Sequence, residues 1–451
     1  MTTLFRFAPS PTGYLHVGNA RIAVLNYIFA KSLGGEFMLR MDDTDEARNQ
    51  AIYDEAIKTD LSWLGIDWDR FERQSLRLAQ YQAARDKLIK DGRLYPCFES
   101  AEELALKRKT QLNRGLPPIY DRAALTLETA EIEEKINQGE KPHWRFKLTG
   151  EEIAFKDLAR GEVHFGAGHL SDPVLIREDG RVLYTLSSVV DDGEMAVTHI
   201  LRGEDHVTNT AAQVELFQAL GYHVPNFIHL PLMLGSQGEK LSKRIGGLTL
   251  QELRDEGFEP GAIFAQLTKL GSNETASGQE SLDDLIANFD IRAFGRAAPR
   301  FDKHQLVQMN RHRLAAYAYH DVKNKVEGWG VSATLWQAIC GNLDRLEDAK
   351  SWVAICYGDF LPPLPNEEDK DYLALAATAL PQEEAWQKQK THQGIYDDWI
   401  ANIKAKSPRK GKGLFMPLRL ALTGRQYGPQ MQEILPLIGH QRVMQRLQAH
   451  L

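Results

Sequence analysis

Hydrophobic positions in the first hundred residues change period several times, and each change marks an element. Leu4, Phe5 and Phe7 form a short apolar run of strand type; after a proline-rich loop, Ile22, Leu25, Ile28 and Phe29 recur at helical spacing. Gly34-Gly35 ends that helix, and Glu36-Phe37-Met38-Leu39-Arg40-Met41 reads as a second buried strand. Strand, helix and strand in that order predict a βαβ unit with parallel strands. Two amphipathic helices follow. One carries Ile52, Tyr53, Ala56, Ile57, Leu61 and Leu64 and stops at Gly65; the other runs from about Ser75 to Lys90 with Leu78, Tyr81, Leu88 and Ile89 inward.

From Leu94 the texture changes. A polar helix, the loop Gly115-Leu116-Pro117-Pro118 and short strand-like runs at Trp144-Arg145-Phe146-Lys147-Leu148 and Val174-Leu175-Ile176-Arg177 predict an inserted α+β module over residues 96–183. The α/β alternation resumes at Tyr184, with a strand at Val197 to Arg202, a helix carrying Val214, Leu216, Phe217 and Leu220, and the apolar run Ile228 to Leu234. Beyond Asp302 strand patterns vanish. Leu306, Met309, Asn310 and Leu314, then Leu335, Trp336 and Ile339, then Tyr372, Leu373 and Ala376 keep helical spacing, and two short helices flank Gly439.

A chain of 451 residues is too long for one core and implies two to four domains. Hydrophobic residues at 43% fit a globular protein, and there is neither a run of 18 apolar residues nor a signal-peptide pattern, so a cytoplasmic protein without membrane partners is expected. The three cysteines, Cys97, Cys340 and Cys356, lie far apart and do not form a disulfide framework. Cys97 with His143, His164 and His169 lacks the paired spacing of a zinc site, so these histidines read as scattered over the surface and no zinc is expected. The net charge of −7 says little, but its distribution says more. No acidic residue occurs between Asp398 and Glu433, while Lys404, Lys406, Arg409, Lys410, Lys412, Arg419 and Arg425 are basic, which suits phosphate contacts as well as a solvated loop.

Candidate chemistry gathers where strands end. Phe7 to Ala20 is a strand-to-helix turn in which prolines and Ser10 stiffen the loop, Gly13 and Gly18 open space, and unpaired helix-end amides face outward. It can seat an anion with His16 reaching a phosphate, and it equally fits a plain βα loop with a surface histidine. Asp42-Asp43-Thr44-Asp45 ends the second strand on the same rim. Its acidic groups suit a ligand ammonium, and Arg6 one strand over suits a carboxylate; Thr44 and Asp45 also fit a helix cap. Arg202-Gly203-Glu204-Asp205-His206 ends a later strand, and Lys240-Leu241-Ser242-Lys243-Arg244 is a cationic loop of the kind that closes on a triphosphate or merely meets solvent.

Taken in order, Pro9-Ser10-Pro11-Thr12-Gly13 with His16-Val17-Gly18-Asn19, Asp42-Asp43-Thr44-Asp45, Arg202 to His206 and Lys240 to Arg244 resemble the signatures of a bacterial glutamyl-tRNA synthetase of class I. The resemblance implies an α/β Rossmann-like class I catalytic domain (1–95 and 184–245) and an inserted α+β module that binds the acceptor end (96–183). It implies further a connecting domain (246–308) and an all-α anticodon-binding region (309–451). It implies ATP-dependent activation of L-glutamate and transfer to the 3′ end of a tRNA of the glutamate and/or glutamine type, by a monomer, with Mg2+ on the ATP. His16 and Lys243 then resemble the catalytic residues. Pro9, Gly18, Met233, Leu234, Lys240, Ser242 and Arg244 complete the ATP set, with the backbone around Met233 and Leu234 meeting the adenine. Arg6, Ser10, Asp42, Tyr184 and Arg202 resemble glutamate contacts. Asp205, near the ribose or the tRNA end, joins the basic residues from Lys404 to Arg419 as a tRNA contact. Asp42 stands where the family more often has Glu, and Ser188 where some members have Asn. The competing readings are a tRNA-independent nucleotidyltransferase and a non-enzymatic RNA-binding paralogue; neither accounts for the insertion, the basic helical third and the charged positions together.

Overall fold

The computed structural model describes residues 2–45, 47–239, 248–363, 366–388 and 392–449. They form two compact units, one of Met1–Leu253, Phe264–Ala276 and Glu280–Asp302, the other of Arg254–Ile263, Ser277–Gln279 and Lys303–Leu451.

In the first unit, β1 (Leu4–Phe7), α1 (Val17–Ser32) and β2 (Glu36–Met41) form the predicted unit, with Leu4 opposite Glu36 through Phe7 opposite Leu39 in parallel register. β1 is buried on both faces, Arg6 included, because sheet neighbours and helices leave it no solvent side. Gly35 returns the chain so tightly that a Cβ there would lie 2.6 Å from the Thr3 carbonyl oxygen. α2 (Ala51–Trp63), β3 (Arg70–Arg73), α3 (Leu78–Lys90) and β4 (Leu94–Cys97) follow. Then come α4 (Ala101–Asn113), α5 (Thr129–Asn137), β5 (His143–Phe146), β6 (Ile153–Asp157), β7 (Gly161–Phe165) and β8 (Val174–Ile176). α6 (Tyr184–Glu194), β9 (His199–Gly203), α7 (Val207–Leu220) and β10 (Asn226–Leu230) restore the alternation.

The main sheet is seven-stranded in the order β3-β2-β1-β9-β10-β6-β7, parallel except for the β6-β7 hairpin. Strand order reverses between β1 and β9, and the crevice beyond their carboxyl ends is where such sheets take ligands.

Residues 96–183 do not stand apart as one module. β6 and β7 extend the main sheet, whereas β4, β5 and β8 form a separate three-stranded sheet. Phe146, Leu148, Leu175 and Ile176 share a core with Leu4 and Met38. The alternating burial of β6 reflects this one-sided packing, which its sequence alone does not assign to either sheet. α4 and α5 contribute no buried side chain. Cys97 lies opposite His143 across β4 and β5, and their ligating atoms fall with those of Glu99 within 4.8 Å of one another. His143 is therefore half-buried beside Cys97 rather than scattered on the surface.

The second unit is helical among its described residues. Its core gathers Trp336, Trp352 and Trp399 with aliphatic side chains from successive helices. Arg254–Ile263 and Ser277–Gln279 cluster with it, a division that cuts across the connecting segment expected at 246–308. Among the described residues, no helix is long and apolar enough to cross a membrane. Trp399 is fully buried and its indole N–H donates to the Ala376 carbonyl at 2.9 Å. Trp399→Ala will cost about 3 to 5 kcal/mol of stability, read from urea unfolding of the helical unit's signal.

Candidate functional site

A cavity of about 670 Å³ opens at the strand-order reversal. Its walls include Arg6, Pro9, Ser10, His16 and Gly18 after β1, Asp42 after β2, Tyr184 at the start of α6, Arg202 and Asp205 after β9, and Met233 and Leu234 after β10. Every candidate named in the sequence before residue 239 thus reaches one cleft, although strands far apart in sequence supply them. Lys240, Ser242, Lys243 and Arg244 lie outside the described residues.

His16 is the N-cap of α1. Its Nδ1 accepts from the amides of Gly18 at 3.0 Å and Asn19 at 3.3 Å, which leaves the proton on Nε2. The imidazole is thereby held at the positive end of the helix as a donor, an arrangement suited to phosphate oxygens. The backbone on either side is stitched to a distant segment: Val17 N–H donates to Leu248 at 2.9 Å and Leu250 N–H to Leu15 at 2.8 Å. Leu234 corrects an expectation. Its N–H donates to Pro299 and its carbonyl accepts from Phe301, both at 2.9 Å, so its backbone faces the protein. Leu234 lines the cavity without offering its amide to a base, and of the pair only Met233 keeps that option.

Arg202 is 6% exposed and, among the described residues, touches no carboxylate. Its guanidinium donates to the Tyr184 hydroxyl at 2.9 Å, Thr210 Oγ1 at 2.6 Å, Gln213 Oε1 at 2.5 Å and His229 Nε2 at 3.2 Å. His229 is itself oriented by Asp157, which accepts from Nδ1 at 2.6 Å. Burial lowers the Arg202 pKa from its ordinary value, and it lowers that of His229 too. A buried cation ringed by neutral groups is costly alone and is matched by an anion entering the cavity.

Arg6 is less free than its sequence position suggests. Its Nε and Nη2 donate to Asp192 at 3.1 to 3.3 Å, which leaves Nη1 for a ligand. Asp192 also accepts from Arg40 Nη1 at 2.7 Å, and Arg40 Nε donates to Asp42 at 2.8 Å. Behind them Asp191 accepts from Gln74 at 2.8 Å, Arg77 at 2.7 Å and Tyr81 at 2.8 Å. Burial opposes the charge of Asp192, but Arg6 and Arg40 outweigh it and hold its carboxyl below the usual range. For Asp42 burial outweighs Arg40 and pushes the carboxyl up to about 6. Sequence reasoning did not assign Arg40, Asp192, Gln213 or His229 to the site. The available signal was the acidic pair Asp191-Asp192 closing a helix whose preceding positions are apolar.

A family model described as "tRNA synthetases class I (E and Q), catalytic domain" matches residues 3–308, and one described as "Anticodon binding domain" matches 361–451. A protein named glutamate–tRNA ligase 2 from Hyphomonas neptunium is 47% identical over 98% of both chains, and glutamate–tRNA ligase 1 from Rhodospirillum rubrum is 49% identical over 99% of this chain and 98% of its own. The chain belongs to the class I glutamyl-tRNA synthetases. A crystal structure of a glutamate tRNA ligase from Elizabethkingia meningosepticum, in complex with its amino acid, superposes with a TM-score of 0.85 at 27% identity, covering 100% of this chain and 99% of that one. Membership of the synthetases implies use of ATP.

The basic segment in the matched anticodon domain is only partly available to this synthetase's RNA. Arg409 pairs with Asp369, donates to the Glu368 carbonyl at 3.1 Å and stacks 4.5 Å over Tyr372. Arg419 donates to Pro429 at 2.7 Å, with burial lowering its pKa. Both are engaged by the fold itself, which leaves fewer of their donors for a phosphate. Lys404, Lys406, Lys410 and Lys412 stay exposed.

Gln213→Glu gives Arg202 the carboxylate it lacks. The variant will gain about 1 kcal/mol of folding stability in a thermal melt of the free protein.

Proposed function

We propose that the chain is a glutamate–tRNA ligase. The observation that carries this reading is Arg202, a buried cation without a carboxylate, lining the same cavity as the Asp42 carboxylate. One pole takes a carboxylate and the other an ammonium, which describes an acidic amino acid. Arg202 and Nη1 of Arg6 hold the substrate carboxylates, Ser10 and Asp42 the α-amino end, and Tyr184 forms a wall. His16 Nε2–H, Pro9 and Gly18 face the ATP phosphates and ribose, and Met233 the adenine. Lys240, Ser242, Lys243 and Arg244 neutralise the charge that develops on the triphosphate, which carries Mg2+.

The α-carboxylate oxygen attacks the α-phosphorus, the bond to the β-phosphate oxygen breaks, and pyrophosphate leaves. The terminal ribose hydroxyl of tRNA then attacks the carbonyl carbon of glutamyl-AMP, gives up its proton, and AMP departs. No protein nucleophile is required, and the work is alignment and charge neutralisation. Asp205 lies where the ribose or the tRNA end approaches. Parts of 96–183 receive the acceptor end, 246–308 connects, and 309–451 meets the anticodon arm through Lys404, Lys406, Lys410 and Lys412. We assign the protein to the cytoplasm as a monomer.

Purified protein with ATP, labelled glutamate and separated glutamate and glutamine tRNAs will form glutamyl-tRNA, the two tRNAs reporting which type is charged. A lack of product with every tRNA overturns the proposal. Lys243→Ala and His16→Ala will each slow charging about 100-fold with tRNA affinity unchanged. Since Asp42 must be ionised to hold an ammonium, kcat/KM for glutamate will hold above pH 6 and fall about tenfold by pH 5, measured at saturating ATP.

A further inference from the structure

Asp42 and Arg6 both line the cavity, one suited to an ammonium and the other to a carboxylate. Behind both lies Arg40, which is fully buried and does not reach the cavity. Its Nε and Nη2 take the two oxygens of Asp42 at 2.8 and 3.4 Å, and its Nη1 takes Asp192 Oδ1 at 2.7 Å. The same Asp192 fixes Arg6 through three bonds. A planar fork therefore joins the two poles through a single guanidinium, and a lysine at this position would carry the charge without the fork.

We infer that Arg40 is a positioning residue that sets the spacing and orientation of both charged poles of the amino-acid pocket. The inference rests on the glutamate reading of that pocket. The short Asp42 side chain makes the dependence acute, because its carboxylate stays against Arg40 instead of reaching freely into the cavity. Around Asp42 stand Arg40 on β2, Arg6 on β1 and Asp191 and Asp192 on α6. Arg77 and Tyr81 satisfy Asp191 from the far side, and Asp45, Arg48, Arg177 and Arg181 line the smaller cavity that Asp42 shares. Of these, only Arg40 bonds both Asp42 and the carboxylate that holds Arg6.

The experiment compares glutamate binding by calorimetry with steady-state charging for Arg40→Met, Arg40→Lys and Asp192→Asn, each checked for folding by circular dichroism. Arg40→Met will weaken glutamate about tenfold, leave the KM for ATP within about twofold, and move the acid limb of kcat/KM for glutamate up by about one pH unit, since Asp42 loses its cation. Arg40→Lys will return the limb toward its original position with affinity only partly restored. Asp192→Asn will weaken glutamate as well but move the limb downward, because a repelling carboxylate is removed. It also serves as the test should Arg40→Met not fold. Unchanged glutamate affinity in a folded variant overturns the inference, as does a parallel rise in both KM values with the limb in place. Failure of the glutamate reading shows itself separately, as a wild-type protein that charges no tRNA.

Discussion

Arg202 is the constraint around which the first unit is arranged. A guanidinium withdrawn from water without a carboxylate costs the fold several kcal/mol unless every donor finds a partner. Here four neutral groups on three elements supply those partners, and Asp157 steadies one of them from the tip of β6. The arrangement needs β9 in the middle of the sheet, α7 packed across it and β10 beside it. The hairpin added at the sheet edge thus has a purpose at the centre, since it orients His229.

Asp191 and Asp192 stay out of the cavity lining, held by Arg77 and by Arg6 and Arg40, whereas Asp42 faces the cavity. The pocket is therefore polarised, with a positive end at β9 and a negative end at β2. A zwitterion with an extra acid fits this polarity, and an uncharged side-chain amide would leave Arg202 unmatched. Preorganisation of this kind is electrostatic before it is steric.

Much of this was legible in the chain. Strand-helix alternation predicted β1, α1 and β2, and charged residues at strand ends predicted which side chains would meet. Capping by His16 was hidden because histidine is an unusual N-cap, and its spacing to Gly18 and Asn19 served the phosphate reading equally well. Arg40 and Asp192 read as strand and helix residues, since partners 152 residues apart cannot be paired from one sequence. The basic segment shows a related effect: its sign was visible, but Asp369, which pairs with Arg409, lies outside it in sequence, and the Pro429 carbonyl that accepts from Arg419 is a backbone group no charge pattern displays. Long-range pairing decides which charges are structural and which remain for a ligand.

The stitches between Leu15 to Val17 and Leu248 to Leu250 bear on how the protein is made. The loop after β1 has its backbone completed by residues synthesised more than two hundred positions after it. Arg6 likewise waits for Asp192. Until then a nascent fragment carries Arg6 without its acid and a strand without its neighbour β9. The walls of the cavity are therefore finished by contacts between segments far apart in the chain, so the cleft takes its shape only once the later strands and helices are in place.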